Sequence, residues 1–247
     1  MSEYTREEMA WRVLQKSLLG KDLQRDQLAV LLNAGLMTIR EYREGEYVFR
    51  DYERPTHVRI LCSGCVRVDI ETETGFKNFI STYSREGIDF GAVSYLMGRP
   101  VYRKSAQVLD RTTLLELDAR LIDPTQDVPR ELKEIAAILR KNQMYCLASR
   151  YYMLSKRLRA LSGSGIRGKI AQYLMDNHVR GESVVPVMSR EKMAKYLNVT
   201  RPALSRELNN MAMEGLVALR RGQIEILDWI RLEQDNNLLG EPEELED

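Results

Sequence analysis

The stretch from Ser189 to Gly222, SREKMAKYLNVTRPALSRELNNMAMEGLVALRRG, constrains this chain more than any other. It predicts a helix, a tight turn, a second helix and a two-stranded wing. Ser189 suits an N-cap, because its hydroxyl accepts from a free backbone N–H, and Glu191 sits in the first turn, where the positive helix end favours it. Met193, Ala194 and Leu197 share one face at helical spacing. Asn198 tolerates the left-handed geometry that ends a helix. Thr200 caps the second helix, and Pro202 fits its first turn. Leu204, Leu208 and Met211, at i, i+4 and i+7, face inward. Ser205, Arg206 and Asn209 then point outward, with Arg201 at the exposed N-terminal end. Gly215 stops the helix, and the runs Val217–Arg220 and Ile224–Leu227 flank Arg221-Gly222 as a hairpin.

This layout suits insertion of one helix into a DNA major groove, where residues near the helix N-terminus read bases. Arginine matches the O6/N7 pair of guanine with a two-pronged hydrogen bond worth about 1–3 kcal/mol of discrimination. Arg201 and Arg206 are the expected base readers. Ser205 contacts a base or a phosphate, and Thr200 and Asn209 share that surface. Ser189, Arg190, Arg220 and Arg221 suit phosphates, which position a protein without specifying sequence. The competing reading is a helical hairpin with solvated arginines; the capped turn and the wing weigh against it.

Bulk charge does not advertise nucleic acid. The 247 residues carry a formal net charge of +1, so the basic residues must be clustered rather than abundant. Residues 233–247 form an acidic tail, with Glu241, Glu243, Glu244, Glu246 and Asp247, and read as disordered. No signal peptide and no long apolar run is visible, which predicts a soluble, cytoplasmic protein with no membrane partner. There is no paired-carboxylate site, G-x-S-x-G motif or phosphate-cradling glycine loop, so an enzyme is not expected.

The N-terminal part, residues 1–128, reads as two helical segments followed by many short strands. Met9, Val13 and Leu14 mark the first helix, and Leu28, Leu31 and Leu32 the second. Tyr47–Phe49, Val58–Leu61, Val66–Ile70, Phe76–Tyr83, Ala106–Leu109 and Thr113–Leu117 are strand-like, punctuated by Gly45, Gly64, Gly75 and Gly87. This spacing predicts a small antiparallel barrel or jelly roll, a shape that encloses ligands. Residues 129–161 predict one long helix. Leu132, Leu139, Cys146 and Met153 recur every seven residues, interleaved with Ile135, Asn142, Ser149 and Lys156, as a dimer seam would, with Asn142 fixing register. A second edge, Leu147, Leu154, Leu158 and Leu161, is left to pack on the barrel or the next domain. Ser162-Gly163-Ser164-Gly165 reads as a flexible boundary, and residues 162–232 as the winged helix-turn-helix domain. The fold class is α+β.

This order of parts resembles the Crp/Fnr family of bacterial transcription regulators, over roughly Leu36 to Leu227. YREGEYVFRD…PTHVRILCSGCVRV, Tyr42 to Val68, is similar to the family's barrel opening with its two turn glycines. SREKMAKYLNVTRPALSREL is similar to its helix-turn-helix without gaps. The resemblance implies a homodimer paired along the long helix, an inverted-repeat operator on double-stranded DNA, and RNA polymerase as a further partner, for which one chain shows no patch. By position, Arg201, Ser205 and Arg206 match the base-reading part, and Ser189 and Arg190 the phosphate contacts. Pro202 stands where the family often has a glutamate that reads cytosine, so the preferred half-site should differ.

The same resemblance places effector contacts at Gly91, Ala92, Arg103, Lys104, Ser105, Ala106 and Ser155. Family members that bind cyclic nucleotides hold the ribose with a glutamate after the glycine and the phosphate with an arginine before a small polar residue. Here Gly91 is followed by Ala92 and Val93, and Lys104-Ser105-Ala106 stands at the phosphate clamp. Lysine keeps the charge but lacks the planar fork. An anionic effector is compatible with Lys104, Arg99 and Arg103, whereas cyclic AMP itself fits poorly; a vestigial pocket is the alternative. No cofactor is indicated. Cys62-Ser63-Gly64-Cys65 is a C-x-x-C, but a cluster or zinc site wants four ligands, and only Cys146, His57 and His178 accompany it. The cysteines read as packing residues, and a redox or haem sensor of the same fold is the lesser reading. A ligand-binding module that acts through protein contacts alone is the reading from another class.

Overall fold

The computed structural model describes residues 3–71, 77–163, 165–178 and 182–236. The turn expected at Gly75, the strand start expected at Phe76, Ser164 of the expected linker and the acidic residues from Glu241 to Asp247 lie outside the described residues. The chain forms two compact units, Met1–Ala148 and Ser149–Asp247.

In the first unit, helices α1 (Glu3–Lys16) and α2 (Arg25–Asn33) precede eight strands: β1 (Met37–Tyr42), β2 (Tyr47–Phe49), β3 (His57–Ser63), β4 (Val66–Glu71), β5 (Lys77–Tyr83), β6 (Asp89–Phe90), β7 (Ser105–Val108) and β8 (Thr112–Asp118). They make two four-stranded antiparallel sheets, ordered β1-β8-β3-β6 and β2-β7-β4-β5, which is the expected jelly roll. The sequence reading missed β1 and β6. The second has only two residues, too few for alternation to register. Short helix α3 (Ala92–Leu96) links β6 to β7, and Gly91, at φ 94°, opens it in a left-handed conformation that favours glycine.

β3 is buried along most of its length because both of its faces are covered. Val58, Ile60 and Cys62 pack with Leu115 and Leu117 of β8 against α1, α2 and the long helix. Leu61 turns the other way and joins Tyr42, Phe49, Phe90, Tyr102 and Leu114 between the sheets.

The long helix, α4, covers Lys133–Ser162 and follows a 3-10 turn at Arg130–Leu132. The N-terminal part of its expected seam is corrected, while Met153 of the same seam is exposed. Leu132, Ile135, Leu139 and Cys146 are buried in the first unit's own core. Asn142 donates through Nδ2 to the carbonyls of Leu19, at 3.0 Å, and Lys21, so its amide is satisfied within one chain and sets no intersubunit register. The edge assigned to packing is instead the exposed one. Met144, Tyr151, Leu154 and Leu158 are exposed, and Leu147 and Leu161 half-buried, in 3-4 spacing. A periodicity shows that a helix has an apolar stripe. It does not show which of two stripes the rest of the chain covers.

In the second unit, α5 (Gly165–Asn177), β9 (Val184–Pro186), α6 (Arg190–Tyr196), α7 (Arg201–Met213), β10 (Val217–Arg220), β11 (Gln223–Ile226) and α8 (Trp229–Asn236) surround one apolar cluster. The wing is three-stranded, ordered β10-β11-β9. α8 carries four residues past the boundary set from sequence at 232, because Leu232 is fully buried on the α5 side of that core. Gly163 is also a correction: a Cβ there would fall on the backbone of Gly168, so the residue permits a tight turn from α4 into α5 rather than a loose joint.

Candidate nucleic-acid interface and sensor site

α6 and α7 are built as the sequence implies. Ser189 Oγ accepts from Lys192 N–H at 3.4 Å, and Thr200 Oγ1 from Ala203 N–H at 3.3 Å. Asn198 takes φ 53° between the helices, and Gly215 takes φ 75° after α7. Leu204, Leu208 and Met211 are fully buried. That fixes the rotation of α7 and leaves Arg201, Pro202, Arg206 and Asn209 exposed and Ser205 half-buried. Among the described residues neither Arg201 nor Arg206 has an ionic partner, so both guanidinium forks are available to base edges. Met213 is 80% exposed at the helix end.

The phosphate candidates divide. Ser189 is exposed but already serves as a cap. Arg190 is half-buried; burial holds its pKa below the usual guanidinium value, and Nη1 is buried without a hydrogen-bond partner. Arg220 is tied to Glu225, with Nε and Nη2 donating to Oε2 at 3.0 and 2.7 Å. The sequence reading missed Glu225. The two-residue turn pairs Ala218 with Glu225, which puts the carboxylate diagonal to Arg220, and the register carried that signal. Arg221, at the turn, is exposed and has no ionic partner among the described residues.

In the sensor, Gly91 and Ala92 stand at the head of α3, with Ala92 fully buried. Ser105 Oγ accepts from Asp51 N–H at 3.0 Å, and Ala106 is buried between Phe49 and Val68 in the sheet. Lys104 is half-buried, while Arg103 is exposed and lies 5.1 Å from the centre of the Tyr52 ring. Ser155 is half-buried and belongs to the second unit. Missed from sequence is a polar cluster inside the barrel. Arg59 and Glu116, 6% and 5% exposed, pair at 3.1 Å. Tyr42 Oη donates to Glu116 at 2.8 Å, and Arg59 Nη1 donates to Tyr102 Oη at 3.0 Å and to the His57 carbonyl at 3.1 Å. A charged residue inside each of two otherwise apolar strand runs was the available signal.

Burial pushes the Cys62 thiol up to about 12 and also raises Cys65. Both are therefore thiols rather than reactive thiolates near neutrality. No group of three or more His, Cys, Asp or Glu residues that could hold a metal occurs among the described residues. His57 Nδ1 is engaged with Thr56 Oγ1 at 2.8 Å. No described helix is long and apolar enough to cross a membrane.

The family model described as a Crp-like helix-turn-helix domain matches residues 168–235, and the one described as a cyclic nucleotide-binding domain matches residues 39–123. Among solved structures the chain is similar to the catabolite activator protein of Thermus thermophilus, with 23% identity over 91% of this chain and 100% of that one, at a TM-score of 0.46. It is similar to DNR from Pseudomonas aeruginosa, with 24% identity over 91% and 96% of the two chains and a TM-score of 0.49. FixK2 from Bradyrhizobium japonicum gives 19% identity over 80% and 96%, with a TM-score of 0.41. No curated protein matches the chain.

Proposed function

Because this chain belongs to the Crp/Fnr family of DNA-binding transcription regulators, we propose that it acts as a homodimer on an inverted-repeat operator, with a small molecule at the sensor barrel setting how much of it can bind. The observation that carries this reading is the face of α7, where three buried apolar residues hold Arg201 and Arg206 out to solvent with no ionic partner among the described residues. Arg201, Ser205 and Arg206 read bases; Arg190 and Arg221 meet phosphates. Two copies pair along the exposed stripe of α4, from Met144 through Leu147, Tyr151, Leu154 and Leu158 to Leu161. A contiguous apolar stripe of this length on a helix is what a coiled-coil partner covers.

The effector is a small anion whose charge Lys104 or Arg103 meets. Its influence on DNA binding equals its difference in affinity between the two dimer arrangements. RNA polymerase is the further partner through which such a regulator acts.

Selection of bound duplexes from a random pool tests the reading. The expected product is an inverted repeat with half-site centres about 34–36 Å apart. A single asymmetric site would remove the dimer. Failure to bind any duplex, even at low salt where phosphate attraction is strongest, would favour a signalling module that works through protein contacts.

A further inference from the structure

Gly91 is the place to look for what the barrel admits. A Cβ built on it would lie 3.2 Å from the His57 carbonyl oxygen, 3.4 Å from Arg59 Nη1 and 3.6 Å from Tyr102 Oη. The space on that side of Gly91 is therefore already taken by the His57 backbone and by the side chains of Arg59 and Tyr102. Tyr102, 1% exposed, is the largest of them. Its ring stacks on Phe49 with centroids 3.9 Å apart and planes 18° from parallel, and its hydroxyl accepts from Arg59. Its main chain is pinned on both sides, with Tyr52 N–H donating to the Tyr102 carbonyl at 3.0 Å and Tyr102 N–H to the Glu53 carbonyl at 2.8 Å.

The charge inside is also complete. Arg59 lies 5.2 Å from the Phe49 ring centre, and its Nε meets Glu116, so the buried cation is balanced by a buried carboxylate and needs no outside anion. A cyclic phosphate entering here would meet the Glu116 charge as well as Arg59.

We propose that Tyr102 is the built-in occupant of the sensor barrel: seated between Phe49 and Arg59 at Gly91, it closes the domain to cyclic nucleotides, and the seat it fills takes a small phenol. This rests on the reading that Gly91, Lys104 and Ser105 line the sensing site. The ring and the hydroxyl contribute separately, since the stack belongs to Phe49 and the hydrogen bond to Arg59.

The full-length chain tests this by thermal melting and calorimetry with two probes, cyclic AMP and p-cresol. Wild type should give no saturable heat and no melting shift with cyclic AMP at about 1 mM or p-cresol at about 5 mM. Tyr102→Ala should melt about 10 °C lower, and p-cresol should restore several degrees in that variant alone, as an apolar cavity takes up a ring of matching size. Tyr102→Phe keeps the ring and should remain closed to both probes. Saturable binding of cyclic AMP by wild type overturns the proposal. If Lys104→Ala then abolishes that binding, the sensing site is correctly placed and only the occupant is wrong. If Lys104→Ala leaves it intact, the site itself is misplaced. A folded Tyr102→Ala chain that ignores p-cresol also overturns the proposal. Should that variant fail to fold, Tyr102→Leu replaces it with the same two outcomes.

Discussion

Arg220 and Glu225 face each other across the wing, with two guanidinium hydrogen bonds ending on one carboxylate oxygen. The arginine side chain is largely exposed, so the pair adds little stability and competes with DNA for the same cation. Arg221, one residue on, has no such competitor among the described residues. Arg221→Ala should therefore weaken binding to all duplexes and reduce the salt slope by about one unit, while Arg220→Ala does less. Glu225→Gln should release Arg220 and raise nonspecific affinity at low salt. Titrations over a range of salt concentrations check this, and equal losses from Arg220→Ala and Arg221→Ala would refute the division.

On α7, Arg206 is expected to specify and not merely attract. Arg206→Ala should cost about 1–3 kcal/mol on the selected operator and much less on random duplex. Arg206→Lys keeps the charge but loses the fork, so it should retain nonspecific affinity without restoring discrimination. If the lysine variant discriminates as well as wild type, Arg206 contacts a phosphate.

The second unit was legible because its signals are local. Ser189, Thr200, Asn198 and Gly215 each mark a helix end within a few residues, and the buried face of α7 follows from spacing alone. The first unit was legible as a class but not in its interior. Arg59 and Glu116 are 57 residues apart in sequence and meet only through the β3–β8 pairing. Tyr102 belongs to a connection with no periodicity. The stripes of α4 were both visible, but which one the protomer covers depends on where Leu19, Lys21 and β3 lie, and no pattern within the helix records that.

The two stripes predict opposite consequences for mutation. Leu154→Glu, in the exposed stripe, should yield a folded monomer that binds the operator weakly. Asn142→Ala takes the Asn142 donor from the buried Leu19 carbonyl and the part-buried Lys21 carbonyl, and should destabilise the first unit by about 1–3 kcal/mol without changing the oligomeric state. Sedimentation and urea unfolding separate these. A monomer from Asn142→Ala, or an undisturbed dimer from Leu154→Glu, would restore the seam read from sequence.

Gly163 supplies a test of the boundary between α4 and α5. A flexible linker tolerates alanine, or gains from it through a smaller unfolded-state entropy. A glycine against the Gly168 backbone does not, because neither backbone segment can move aside without opening the turn between the helices. Gly163→Ala should lower the stability of the second unit by about 1–3 kcal/mol. A neutral or stabilising effect in urea unfolding would return the segment to linker status.

Arg167 ties α5 to α7 and α8. Its Nε donates to Asp235 at 2.7 Å, Nη1 donates to Glu214 at 3.0 Å, and Nη2 pairs with the other Glu214 oxygen. Nη1 also lies 3.6 Å from Glu207, which neighbours Arg206 on the reading helix. The hydrogen bond from Arg167 holds the Glu214 carboxyl below its ordinary value of 4.5. A carboxylate depressed in the folded state contributes its full stabilisation above the unfolded value, and that contribution is lost as pH falls through the lower, folded one. The second unit should therefore lose stability on acidification from about pH 5 downward. Trp229, on α8 and in edge contact with His178 at 4.3 Å, reports it by fluorescence once Trp11 is changed to Phe. Arg167→Met removes the guanidinium that depresses Glu214, so its stability should be lower near neutrality and vary less with pH between about 3 and 5. An acid limb as steep in Arg167→Met as in the parent would place the titrating group elsewhere and detach Arg167 from the positioning of α7.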